Sequence, residues 1–295
     1  MTQILIRTLD RYMNFYYGYL ILKAYIFKLR FSEKYFNIDY LEKWKLFIER
    51  TDFDALIDRA CEMMKNDVDG RILDIADVME RASYFAMIHP DHPNITLGFL
   101  KDADLWNLWL ETGIYSYARR AISEIAGIGK GERIIDFGCG SASPAYYSEL
   151  VGQHGFYTGI DYSRPLLRIA RSNCREKNLL DRVRLIQGFA ESKMEFTKKY
   201  DLAVLSSVLE YSDIRAVLKN ALNAIGFDGK IAVFSEVFRD VQPERAELFE
   251  LYYSLISNFR RFPSLTEIHD FLDFQGILYR MKSYGSHVLV IEVCE

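Results

Sequence analysis

The sequence predicts a mixed α/β chain: a mostly parallel sheet that finishes in an antiparallel hairpin, preceded by an all-helical segment. Three observations carry this. Through residues 1–101 apolar residues recur at helical spacing and no strand pattern interrupts them. From Arg133 onward short apolar runs alternate with amphipathic stretches, the rhythm of successive βα units in a parallel sheet. Near the end, two strand patterns are separated only by Gly285-Ser286, and so short a connection makes the pair antiparallel.

Taken in order, Tyr12, Phe15, Tyr16, Tyr19, Leu20, Lys23, Ile26 and Phe27 fall on one helix, and Tyr40, Leu41, Trp44, Phe47 and Ile48 on a second. Thr51-Asp52 reads as the cap of a third, which carries Phe53, Leu56, Ile57, Ala60 and Met64. A turn at Asp67-Val-Asp-Gly70 leads into a fourth helix running to about Ile88, where His89-Pro-Asp-His-Pro93 breaks the pattern. A single helix is expected from Asp102 toward Gly127. The expected strands are Arg133–Phe137, Phe156–Ile160, Val183–Gln187, Leu202–Ser206 and Lys230–Phe234, then the hairpin Tyr279–Tyr284 and His287–Val293. The expected division is 1–101 and 102–295.

Composition narrows the function classes. Half of the 295 residues are hydrophobic and 26% are charged, the balance of a globular protein with a sizeable core. A net charge of −4 gives no global pull toward nucleic acid or an anionic membrane, so neither is expected as a partner. Cys61, Cys139, Cys174 and Cys294 are scattered, with neither zinc spacing nor a disulfide framework, which points to a reducing, cytoplasmic setting. The uncharged run Tyr12–Leu22 has 11 residues, against the roughly 20 a bilayer span needs. His154 and His269 read as peripheral, His89 and His92 sit in the Pro-rich stretch, and His287 opens the last strand. None has ligand spacing, and no metal is expected. The 15% aromatic content reads as core or dimer interface, or as a pocket for an aromatic or cationic small molecule.

The chemistry starts at IIDFGCGSASP, Ile134 to Pro144. A strand ending in Asp136, followed by Gly138 and Gly140 and then a helix, brings bare backbone close to a ligand. The dinucleotide fingerprint would need glycine at Ser143, and it is missing. An acid before the first glycine suits a ligand that carries a positive charge, such as an amino group. The second strand ends on Asp161, where an ionised carboxylate accepts from two ribose hydroxyls. These residues point to a nucleoside carrying an amine.

With these motifs the sequence resembles the class I S-adenosylmethionine (SAM)-dependent methyltransferases. IIDFGCGSAS is similar to their first motif, with Ala142 at the last glycine position, and GIDYS to their acidic second motif. RVRLIQGFAES, YDLAVLSSVLEYSD and IGFDGKIAVFSEV are similar to the third, fourth and fifth strands with their turns, and the final hairpin to strands six and seven. The resemblance spans about Leu105 to Glu295. It implies a Rossmann-like class I methyltransferase sheet, with SAM as cofactor and a small organic acceptor methylated on O, N or C. It implies that Asp136, Gly138 and Gly140 frame the methionine end, that Asp161 holds the ribose with Tyr162 against the adenine, and that Phe189 and Ala190 meet the adenine edge. Ser206 would lie near the sulfonium. Phe189 stands where many relatives have Asp, so the adenine amine would turn to backbone or Glu191.

In-line methyl transfer needs positioning and dryness more than a dedicated catalytic group, and a base only where the acceptor must lose a proton. By position, Glu236 is the leading acid/base candidate, with Glu210 and Tyr211 after strand four. One of Tyr115 and Tyr117 is expected to face the sulfonium, and Arg119 or Arg120 to meet the SAM carboxylate. The resemblance also implies that the helical front half is a lid, a substrate wall and a homodimer platform, with Pro243 to Phe274 adding an aromatic wall, in an enzyme of secondary metabolism. Two other readings use the same scaffold: aminocarboxypropyl transfer of the nicotianamine-synthase type or cyclisation, and SAM binding without turnover.

Overall fold

The computed structural model describes residues 1–30, 38–65, 70–88 and 99–294. The His89–Pro93 breaker and most of the Asp67–Gly70 turn lie outside the described residues, so the expectations for His89 and His92 find no counterpart here. Six helices come first: α1 (Thr2–Arg30), α2 (Ile38–Arg50), α3 (Phe53–Met63), α4 (Arg71–Ile88), α5 (Ala103–Leu110) and α6 (Gly113–Ala126). The sheet follows as β1 (Arg133–Phe137), α7 (Ser143–Val151), β2 (Phe156–Asp161), α8 (Arg164–Glu176), β3 (Val183–Gln187), β4 (Tyr200–Ser206), α9 (Ile214–Ala224) and β5 (Ile225–Phe234). The chain closes with α10 (Pro243–Tyr253), α11 (Leu265–Phe274), β6 (Tyr279–Tyr284) and β7 (Val288–Val293).

The strand order is β3-β2-β1-β4-β5-β7-β6. The first five strands run parallel, and β7 pairs antiparallel with both β5 and β6. β1 is followed in sequence by β2 on one side, yet its other neighbour is β4. Such a reversal opens a crevice at the carboxyl ends of the strands, where ligands of open α/β sheets bind.

Sequence and structure part at the helix expected from Asp102 to Gly127. The chain breaks there into α5 and α6, because Thr112 is extended (φ −64°, ψ 164°) and its hydroxyl donates to Trp109 O at 2.7 Å. The break turns Trp109 and Tyr115 toward each other, 5.5 Å between ring centres. The predicted stop holds: Gly127 is left-handed (φ 71°) and caps α6. The third helix is also capped as expected, with Asp52 accepting from the N–H groups of Asp54 and Ala55. Strand two runs one residue further, through Asp161, strands four and five begin earlier, and the last strand starts at Val288 rather than His287.

The front helices share a core with the sheet. α1 packs on α3, α4, α6 and α10. Its Tyr16 lies against Trp109 and Phe249, at 5.1 and 5.4 Å. Phe27 and Tyr252 close on Trp44, at 4.5 and 5.1 Å. Much of the aromatic content is therefore internal packing, with ring pairs at the tilted and edge-to-face geometries aromatic quadrupoles favour. Among the described residues, no helix is long and apolar enough to cross a membrane.

Candidate active site

A cavity of about 270 Å³ lies at the carboxyl ends of β1, β2 and β4. Its first wall is the loop after β1. Gly138 and Gly140 are both left-handed, φ 75° and 58°, a conformation L side chains adopt at a cost of roughly 1–2 kcal/mol. A Cβ on Gly138 would stand 2.8 Å from Val208, and one on Gly140 2.6 Å from Leu110. The loop is tied to β2 by the N–H groups of Gly138 and Cys139, which both donate to Ile160 O at 2.7 and 3.0 Å.

Asp161 organises the second wall. Its Oδ2 accepts from Gly140 N–H at 2.8 Å and its Oδ1 from Ser163 N–H at 2.7 Å. Burial pushes its pKa up to about 6 against these two hydrogen bonds. Each oxygen keeps a lone pair for a ligand hydroxyl, and Asp161 lines the cavity. Ser163 then caps α8 and donates to Phe99 O at 2.7 Å, which pins Phe99 over the site.

Tyr162 and Phe189 face each other at 5.4 Å, nearly parallel. Phe189 is 53% exposed, so this stack forms the rim. Asn220 holds the adjoining turn by donating to the carbonyls of Ala190 and Ser192, both at 2.7 Å. Glu191, expected as an alternative adenine contact, lines the cavity but is paired with Arg260 at 3.2 Å. Phe99 ties the walls together, stacked on Trp106 at 4.4 Å and edge-on to Tyr211 at 5.0 Å.

Asp136 stands apart from the cavity. It is buried behind the loop, where Oδ2 accepts from the Tyr157 hydroxyl at 2.7 Å and Oδ1 has no partner among the described residues. Burial and the charge of Asp161 push it up to about 7 against that hydrogen bond. Of the other residues expected from the sequence, Gly138, Gly140, Asp161, Tyr162, Phe189, Ala190, Ser206, Tyr211 and Tyr115 line the cavity. Tyr117 does not: it packs on Tyr12 and under Arg120. Arg119 is buried with its guanidinium donating to Leu110 O at 3.0 Å. Glu210 and Glu236 lie buried beneath the floor. Glu236 accepts from the Tyr115 hydroxyl and from Ser207 Oγ, the latter at 2.9 Å. Burial raises its pKa, and burial together with the Glu236 charge pushes Glu210 up to about 8. Sequence reasoning missed Ser207, Asn220, Phe99, Trp106 and Asn258. Of these, only Phe99 and Trp106 stood in an aromatic-rich stretch that called for a pocket.

The geometry fits SAM on two observations. The glycine loop leaves room that a Cβ would fill, and an unsatisfied carboxylate oxygen of Asp136 lies behind it. Comparisons with known proteins agree. The sequence model of the family described as "Methyltransferase domain" matches residues 128–276. An uncharacterized protein of Methanocaldococcus jannaschii is 34% identical over 217 residues, 71% of this chain and 57% of that protein. The ubiquinone/menaquinone biosynthesis C-methyltransferase UbiE of Shewanella sp. (strain ANA-3) is 25% identical over 167 residues, 56% of this chain and 64% of its own length. The chain thus spans less than two thirds of the length of these curated relatives. An O-methyltransferase family protein of Burkholderia thailandensis shares the fold, with a TM-score of 0.56 at 14% identity over 75% of this chain and 72% of that one. The chain belongs to the methyltransferase-domain family, and its fold is that of the class I methyltransferases.

Proposed function

We propose that the chain methylates a small organic acceptor enclosed between the glycine loop and the aromatic walls. One observation carries this reading: Phe99, Trp106, Trp109, Tyr211 and Phe259 line the same cavity as Gly138, Gly140 and Asp161. When bound, SAM supplies a methyl group on a positive sulfur, which leaves as a neutral thioether with the carbon–sulfur electron pair. Asp161 holds the ribose through its free lone pairs, Tyr162 and Phe189 border the adenine, and Ala190 presents backbone to its edge. Gly138 and Gly140 receive the methionine end, with Asp136 behind them, and Ser206 lies on the sulfonium side.

The aromatic walls exclude water and orient the acceptor, and their faces favour a cationic centre. Residues 1–101 serve as lid and substrate wall, since Phe99 closes on the site from that segment. Arg260 lines the cavity, but its charge is matched by Glu191, so the rim offers little to a polyanion. That supports a metabolite over nucleic acid. The relatives' names speak of C- and O-methyl transfer, and both stay within this reading.

The experiment is incubation of the purified chain with SAM and a panel of small acceptors, read by product mass. Gain of one methyl with release of S-adenosylhomocysteine (SAH) is expected. Gain of an aminocarboxypropyl group would transfer the site to the rival chemistry, and SAH binding without any product would support the non-catalytic reading.

A further inference from the structure

β4 and β5 pair with Ser206 opposite Phe234. The residues just beyond, Ser207 on one strand and Ser235-Glu236 on the other, are therefore neighbours. Ser207 is left-handed (φ 48°), a conformation that strains any residue with a side chain and is concentrated at functional positions. Its N–H donates to Phe234 O at 2.9 Å. The turn delivers its hydroxyl to Glu236 Oε2 while the residue lines the cavity. With the Tyr115 hydroxyl on Oε1, Glu236 has a donor on each oxygen, the pattern of an ionised carboxylate.

Glu210 has the opposite pattern. Ser235 Oγ stands 2.7 Å from Val237 O and 2.5 Å from Glu210 Oε1. A serine hydroxyl has one hydrogen. The Val237 carbonyl and an ionised Glu210 would compete for that one hydrogen, whereas a protonated Glu210 brings its own hydrogen to the shorter contact and leaves the serine's for Val237 O. Its other oxygen, Oε2, is buried and has no partner among the described residues. A neutral acid tolerates that far better than an anion. The groups facing the pair are Tyr16 from α1, Tyr115 from α6, Tyr211 after β4, Tyr253 from α10 and His287 before β7. Burial raises the four tyrosines, and it lowers His287 to about 4, so none of the five is a cation at neutral pH.

We propose that Glu210 and Glu236 hold one proton between them, Glu210 as the neutral acid and Glu236 as the anion, and that Ser207 couples this anion to the cavity so that the site takes phenol- or enol-type hydroxyl acceptors. The proposal rests on the methyltransferase reading. The acceptor oxygen bonds to the methyl carbon as the carbon–sulfur bond breaks. The acceptor proton passes to Ser207 Oγ while the Ser207 proton passes to Glu236 Oε2. One positive and one negative charge disappear together. A carboxylate is too weak a base for an aliphatic alcohol but is closer to matching a phenol. An amine would arrive as an ammonium ion and be held unreactive by the same anion. The aromatic walls suit a planar acceptor.

Two arms test this. The first is infrared and carbon NMR spectroscopy of protein labelled at the glutamate carboxyls, near neutral pH and without acceptor. One protonated carboxyl is expected, lost in Glu210→Gln and kept in Ser207→Gly, a variant that removes the hydroxyl yet suits the backbone. Ser207→Gly should also raise the titration of Glu236. Absence of that protonated signal, or its persistence in Glu210→Gln, overturns the shared proton. The second arm is methylation of phenols, 1,3-diketone enols, aliphatic alcohols and amines. Phenols or enols should react, and Ser207→Gly should lower kcat about 100-fold, with KM nearly constant and the acidic limb of the pH profile displaced. Methylation of amines alone, no hydroxyl product despite SAH binding, or an unaffected Ser207→Gly overturns the acceptor class. Failure of the wild type to bind SAH would count against the parent reading instead, and the first arm would still decide the proton.

Discussion

At the β1–β2 end of the cavity the acid faces backbone: Asp161 takes N–H groups from Gly140 and Ser163 on its two oxygens. At the β4–β5 end the acids face hydroxyls: Glu236 takes Tyr115 and Ser207, and Glu210 contacts Ser235. Backbone donors are fixed by the loop and cannot give up their protons at working pH. Hydroxyls can both donate and accept, so a proton can pass through them. On the proposed reading, one end holds a ligand and the other exchanges a proton with one.

The sharpest way to break this contrast is Glu236→Gln. It keeps shape and removes the charge, and turnover of a hydroxyl acceptor should fall roughly 10²–10⁴-fold while calorimetric SAH affinity stays near wild type. Equal losses in both quantities would erase the division between the two ends.

Glu210→Gln gives the next effect, in stability. Burial and the Glu236 charge raise the folded-state pKa of Glu210 to about 8, above the ordinary glutamate value of 4.5. Glu210 thus contributes stability that is fully present below about 4.5 and is lost as the pH rises through about 8. The Tm difference, wild type minus Glu210→Gln, should fall by several degrees between pH 5 and about 8. His287 runs the other way: its pKa is lowered to about 4, so its contribution is lost as the pH falls. His287 is common to the two proteins, so its contribution cancels in the difference. A difference that rises with pH would contradict a neutral Glu210.

The smallest effect belongs to the rim. Phe189→Ala removes one face of the Tyr162 stack, an interaction worth about 0.5–1.5 kcal/mol, and SAH affinity should drop only a few-fold. A loss as large as that of an Asp161 variant would move the nucleoside's main anchor outward.

These two ends also differ in how far the sequence reveals them. The Asp136-to-Gly140 turn and the strand ending on Asp161 are local patterns, and local geometry follows from them. Three strands, Arg133–Phe137, Val183–Gln187 and Tyr279–Tyr284, match their expected bounds. The β4–β5 end needs register. Glu210 and Glu236 are candidates by position, yet nothing in their neighbourhoods shows that Ser206 pairs with Phe234 and so brings Ser207 beside Glu236. The left-handed turn at Ser207 is likewise invisible, because serine does not advertise positive φ as glycine does. The break between α5 and α6 did carry a signal, a Thr112 cap before Gly113, but the apolar period ran through it. Tyr117 shares a helix with Tyr115 and turns to Tyr12 instead, since residues two apart do not share a helix face.

The most direct test is calorimetric titration with SAM and SAH of the wild type and of Asp161→Ala, whose circular dichroism must match the wild type, with NAD as a control ligand. Binding of both ligands by the wild type, at least about 30-fold weaker in the variant as expected for losing charged hydrogen bonds, and no binding of NAD, is the predicted result. Wild-type affinity in the variant, or no binding of SAM and SAH to either protein, would contradict the assignment of this cavity.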